Sequence, residues 1–188
     1  MRLYMGLIHF PVYNKNYERI ASAITTLDIH DLARLAKTYG VKRLFIVTPL
    51  DDQQNMARRV LRHWIDGYGG QYNRHRKEAL ELVCVVPDLD RAVAEIGETE
   101  GEAPLIIATD ASNQKDRSVS YEKARSSIQE DKAVILLFGT AWGLHEEVIK
   151  KSDNILDPVS GKTGYNHLSV RTAAAIILDR LAGEDIGE

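Results

Sequence analysis

Val134-Ile135-Leu136-Leu137-Phe138-Gly139-Thr140-Ala141-Trp142-Gly143-Leu144 is the stretch that decides how this chain is read. An unbroken apolar run ends at Phe138, and Gly139 and Gly143 then bracket a short loop. A run this short, without polar alternation, is what a strand covered on both faces requires. Glycines directly after such a strand let a ligand approach the backbone at the carboxyl end of a sheet, although a plain turn explains them equally well.

The same pattern repeats on either side of this stretch. Apolar runs at Leu3–Phe10, Arg43–Val47, Leu82–Val86, Leu105–Thr109 and Asn154–Leu156 read as further strands. Helical segments are expected at Asp28–Tyr39, Asp52–Trp64, Asp88–Ile96, Tyr121–Gln129, Glu146–Lys150 and His167–Leu181. Strands alternating with helices predict an α/β fold, a mostly parallel sheet with helices on both faces. Asp88 and Ser120 are placed to cap helices, and Gly40 to end one. Flexible chain is expected at Tyr13–Tyr17, at Gly67–Gly70 and in the tail Gly183–Glu188; no domain boundary interrupts residues 1–188.

Composition narrows the class. Hydrophobic residues make up 44% of the 188 and charged residues 27%, an ordinary globular balance. No apolar run reaches the roughly 18 residues of a spanning helix, and Met1–Ile8 lacks a secretory cleavage region. The single cysteine, Cys84, lies in an apolar run and reads as a core residue, which fits a cytoplasmic protein. No metal is expected. A net charge of −3 argues against indiscriminate binding of nucleic acid but leaves room for local basic surfaces. Two clusters qualify, Arg58-Arg59-Val60-Leu61-Arg62-His63-Trp64 and Tyr72-Asn73-Arg74-His75-Arg76-Lys77. They read either as solvated helix faces or as a phosphate-contacting patch with Trp64 and Tyr72 at hand for base stacking.

The second informative stretch is Leu156-Asp157-Pro158-Val159-Ser160-Gly161-Lys162-Thr163-Gly164-Tyr165-Asn166-His167-Leu168-Ser169-Val170. Gly161-Lys162-Thr163 imitates the end of a phosphate-binding loop, but Leu156 stands where that loop needs its first glycine. The helix that follows, with Ala173-Ala174-Ala175-Ile176-Ile177-Leu178, is apolar around nearly its whole circumference. Packing on two sides follows, against its own sheet and against either a partner subunit or a large core of its own chain.

Together, Phe138–Leu144 and Leu156–Leu178 resemble the second and third motifs of the SPOUT superfamily of S-adenosylmethionine (SAM)-dependent methyltransferases. Arg34-Leu35-Ala36-Lys37-Thr38-Tyr39-Gly40-Val41 resembles the first motif. Within the superfamily the chain is similar to the cofactor-binding domain of the tRNA (guanine-N1)-methyltransferases. The resemblance implies a C-terminal deep trefoil knot, a homodimer packed through the knotted region, and SAM as cofactor. It implies a cofactor pocket formed by Thr109, Phe138, Gly139, Thr140, Gly143, Leu156, Pro158 and Leu168. It offers Arg34, Asn166 and His167 as catalytic residues. His167 stands where ribose-methylating members usually carry asparagine, so a base nitrogen and a ribose 2′-oxygen are both admissible acceptors. Each site residue also has an ordinary reading: Arg34 as a surface cation near a helix end, His167 as a loop contact, Asn166 and Ser169 as helix caps, Asp110 as a surface turn. RNA would meet Arg58, Arg59, Arg62, Arg74 and Arg76. The alternative is a module of this fold that binds RNA or protein without catalysis.

Overall fold

The computed structural model describes residues 1–112 and 117–184. Among the described residues seven strands form one sheet, β1 (Leu3–Ile8), β4 (Arg43–Val47), β5 (Val83–Val86), β6 (Leu105–Thr109), β7 (Ser118–Val119), β8 (Val134–Gly139) and β9 (Asn154–Leu156). Their order is β5-β4-β1-β8-β6-β9-β7, and every pairing is parallel. A separate antiparallel ribbon joins β2 (Val12–Tyr13) to β3 (Arg19–Ile20). The helices are α1 (Thr26–Thr38), α2 (Asp51–Ile65), α3 (Tyr68–Tyr72), α4 (Arg74–Leu80), α5 (Leu89–Glu100), α6 (Tyr121–Gln129), α7 (Glu146–Lys151) and α8 (Val170–Ala182).

Period-two alternation splits the core into two layers. Leu3, Met5 and Leu7 of β1, with Val134, Leu136 and Phe138 of β8, pack against helices that include α1, α6 and α8. Tyr4 and Ile8 of β1, with Ile135 and Leu137 of β8, face α5 and α7. The expected apolar runs thus form strands covered on both faces. From β1 the chain moves outward to β4 and β5, then returns to the other side of β8 with β6. Reversal of winding direction opens a crevice beyond the carboxyl ends of the central strands.

Local expectations met three corrections. Gly67–Gly70 is largely inside α3, because Gly69 lets the chain close on the Trp64 ring. A Cβ there would lie 2.7 Å from Trp64 Cε3. Tyr13 belongs to the ribbon rather than to a free loop. The last helix starts at Val170, not at His167, because the Ser169 side chain accepts a hydrogen bond from Thr172 N–H and caps it there. Asp88 and Ser120 cap α5 and α6 as expected. In the expected tail, residues 185–188 lie outside the described residues.

Candidate active site

A cavity of about 1050 Å³ lies beyond the carboxyl ends of β1, β6 and β8. Four segments build its walls: Ser22–Asp28 from the β3–α1 connection into the first turn of α1, Thr109–Ser112 at the end of β6, Phe138–Leu144 at the end of β8, and the approach to α8 with its first turns. The ribbon residues Tyr13 and Tyr17 complete one side.

The loop after β8 is shaped by its glycines. A Cβ on Gly139 would lie 2.7 Å from Leu144 N and 2.9 Å from Gly143 C, so only glycine allows this turn to close. Gly143 has φ +101°, a conformation that favours glycine. Ala141 is held at φ +52° between them, which costs a side-chain-bearing residue energy. The ribbon locks the loop from outside: Tyr13 N–H donates to the Gly143 carbonyl and Trp142 N–H to the Tyr13 carbonyl, both at 3.0 Å.

A chain of side-chain hydrogen bonds runs behind this wall. Thr140 Oγ1 donates to the Ile8 carbonyl (3.0 Å) and lies 2.5 Å from Ser22 Oγ, which lies 2.9 Å from His9 Nδ1. With the Thr140 hydrogen committed to Ile8, Ser22 donates to Thr140, and His9 must supply the hydrogen on Nδ1. That assignment leaves only the His9 Nε2 lone pair without a hydrogen-bond partner, and a buried acceptor in that state is more common than a buried N–H. His9 is fully buried, and burial pushes its imidazole down from 6.5 to about 4, against a smaller opposing pull from Asp28. His9 is therefore neutral at pH 7. On that assignment the hydroxyl hydrogens of Ser22 and Thr140 are both taken up within the chain, which leaves the two oxygens as acceptors at the cavity wall.

Of the anticipated cofactor residues, Thr109, Phe138, Gly139, Thr140, Gly143 and Leu168 line the cavity. Thr109 Oγ1 donates to the Leu137 carbonyl at 2.9 Å, tying β6 to β8 at the cavity edge. Leu156 does not line it, since its side chain is buried in the core beneath, and half-buried Pro158 lies outside the lining. Asn166 and His167 do line it. Asn166 Nδ2 donates to the Ala111 carbonyl at 2.8 Å and so joins the loop before α8 to the loop after β6, rather than capping the helix. His167 is exposed, its ring edge-on to Tyr165. Asp110 Oδ1 accepts from Ser112 N–H and Oγ in a tight turn at the rim. Arg34 is exposed on α1 and outside the lining.

Sequence reading missed Ser22, Thr25, Asp28, Tyr17 and Trp142, all of which line the cavity. Asp28 sits at the start of α1, where its carboxylate accepts from Thr25 Oγ1 (2.6 Å) and faces Arg171 of α8 (3.7 Å). The capping pattern around Thr25 was available in the sequence, but it says nothing about what the capped end faces. The expected basic region also resolves. Arg59, Arg62 and Arg74 are exposed, Arg58 donates to Gln54, and Arg74 pairs with Glu78. Trp64 is not available for stacking as anticipated: His30 and His63 meet its ring edge-on and Arg76 covers it at 4.6 Å. Tyr72 is exposed and stacked with Tyr68.

The cavity combines apolar surface from Phe138, Leu144, Leu168 and Ile177 with the hydroxyl oxygens of Ser22 and Thr140 and the Asp28 carboxylate, the mixed lining of a small-molecule site. An α/β sheet with such a cavity at its switch point defines a ligand-binding protein of the doubly wound class. Comparison makes this specific: residues 2–183 match the model of a family described as SAM-dependent RNA methyltransferase, and the chain belongs to that family. SAM is the cofactor of the family.

Among curated relatives, the tRNA (guanine-N(1)-)-methyltransferase of Oleidesulfovibrio alaskensis is 44% identical over 182 residues, covering 97% of this chain and 42% of the relative. The protein of the same name from Nitratidesulfovibrio vulgaris is 41% identical over the same shares. This chain thus spans less than half the length of either. An uncharacterized protein of Aquifex aeolicus is 36% identical over 95% of this chain and 87% of its own. Solved structures share the fold. A putative methylase family protein from Neisseria gonorrhoeae has TM-score 0.66 at 18% identity, over 100% of this chain and 84% of that one. The SpoU methyltransferase AviRb from Streptomyces viridochromogenes, in complex with AdoMet, has TM-score 0.57 at 15% identity, over 96% and 58%.

Proposed function

We propose that this chain binds SAM in the cavity beyond β1, β6 and β8 and transfers its methyl group to a ring nitrogen of a tRNA base, with guanine the first candidate. The observation that carries this reading is the cavity itself, where the glycine-shaped loop after β8 meets a wall of lone pairs and a carboxylate. The names of the two tRNA (guanine-N(1)-)-methyltransferase relatives support the choice of acceptor.

SAM would supply the methyl group on a sulfonium. Thr109, Phe138, Gly139, Thr140, Gly143 and Leu168 would hold it. The chain's own task is to position the acceptor and take its proton. Asn166 and His167 stand at the cavity for that work, and Asp28 offers a carboxylate opposite them. Arg34, outside the lining of its own chain, would act at a site only if a second subunit presented it.

That requirement agrees with a homodimer packed through the C-terminal region. A deep trefoil knot is part of the same proposal. It is supported by the placement of β6 between β8 and β9, and by the return of α8 to α1, where Arg171 faces Asp28 and Asp31. The exposed Arg59, Arg62 and Arg74, with Arg58 and Arg76, would meet the RNA backbone.

The test is incubation of purified protein with labelled SAM and tRNA, followed by mass spectrometry of the nucleosides. N1-methylguanosine is the expected product. A 2′-O-methylated nucleoside would reassign the acceptor, and absence of SAM binding by calorimetry would overturn the reading.

A further inference from the structure

Two large aromatic side chains stand in solvent at the mouth of the cavity. Tyr17 is 75% exposed and Trp142 is 61% exposed, and both belong to its lining. Neither has the company of a core, yet the backbone that carries each is held in place. Tyr17 has φ +60°, unfavourable for a residue with a side chain, and its ring meets Tyr13 edge-on at 5.8 Å. Tyr13 in turn packs on His145 at 4.7 Å. Trp142 follows Ala141, at φ +52°, and its N–H is bonded to the Tyr13 carbonyl. Strained backbone that carries exposed rings contributes nothing to folding that a polar turn would not, and such strain gathers at sites of function.

On the reading that the substrate is RNA, we infer that Tyr17 and Trp142 form an aromatic rim on which the acceptor nucleobase stacks as it enters the cavity. A base cannot reach a cofactor enclosed at the end of a sheet while it remains in its own stack, so it must leave its neighbours. Exposed aromatic faces at the entrance replace the lost stacking and ask nothing of base identity. The rim is continuous with the cavity, which commits it to the base delivered there rather than to a distant stretch of RNA. Selection among bases would then belong to the groups that position the acceptor, Asn166 and His167.

The test uses the two tryptophans of the chain. In a Trp64→Phe background Trp142 is the sole indole, and a short single-stranded RNA is titrated in without SAM. The expected result is quenching of Trp142 fluorescence. Tyr17→Ala and Trp142→Ala should each weaken RNA binding by roughly tenfold, the effect of losing one aromatic platform. Tyr17→Phe should bind as the parent does, and SAM affinity by calorimetry should change less than twofold in all of them. RNA that binds and is methylated without quenching Trp142 overturns the rim and leaves the methyltransferase reading intact. Loss of SAM affinity in Trp142→Ala would assign the ring to the cofactor instead. Conversion of a dimer to monomers by that substitution would assign it to a subunit interface. No binding of any RNA by the parent protein would remove both readings together.

Discussion

His9 donates from Nδ1 to Ser22 and so sets which way the hydrogens of Ser22 and Thr140 point. Its imidazole is pushed to about 4 by burial, against 6.5 when the chain is unfolded. Between those values the unfolded chain binds a proton that the folded chain refuses, so folding stability falls as pH is lowered from about 6.5 toward 4 and is flat above. The full effect of a shift this size is on the order of 3 kcal/mol. Urea unfolding from pH 4 to 8 should show that slope. His9→Asn, whose amide can mimic the Nδ1 donor without titrating, should reduce it to the share left by His30, which burial also pushes down, and keep SAM affinity. A slope undiminished in His9→Asn would place the titrating group elsewhere.

At the scale of elements, the turn between β8 and α7 walls the candidate site, and the ribbon β2–β3 holds that turn from outside. Gly139→Ala puts a Cβ against the backbone of Gly143 and Leu144, where no side chain can swing away. Its expected cost is about 1–3 kcal/mol in denaturant unfolding, the range for overpacked positions. SAM binding should weaken by more than that loss of stability explains, because the Thr140 wall moves with the turn. Unchanged calorimetric affinity in a folded Gly139→Ala protein would remove the loop from the cofactor site. Helix α8 is the other element with two duties. Ala174, Ile177, Leu178 and Leu181 are buried against the sheet, while Ala175 and Ile176 are only half-buried. Its apolar circumference is thus partly satisfied within the chain and partly left for another surface.

For the molecule as a whole, the proposed homodimer rests on that remaining face and on the position of Arg34, and its mass tests it. Light scattering coupled to gel filtration should give twice the 21.1 kDa chain mass. Ile176→Lys should reduce it to the mass of one chain if the half-buried side of α8 is the contact. A monomeric parent that methylates tRNA would show that Arg34 is not needed at the site. Among the described residues no helix is long and apolar enough to cross a membrane.

The sequence by itself determined the strands and most of the helices, because buried runs such as Val134–Phe138 and capped starts such as Asp88 carry their pattern locally. It also marked the loop after β8, since glycine pairs at a strand end are visible without a structure. What lies opposite that loop was decided only by the tertiary fold. Ser22, Asp28 and Tyr17 are more than a hundred residues from Thr140 in the chain and meet it because the sheet reverses direction between β1 and β8. The fate of Trp64 was hidden for the same reason: whether a ring is exposed depends on neighbours such as Arg76 brought in by another helix. Periodicity records what each segment must bury, while the contacts that make a site arise from which segments the fold sets side by side.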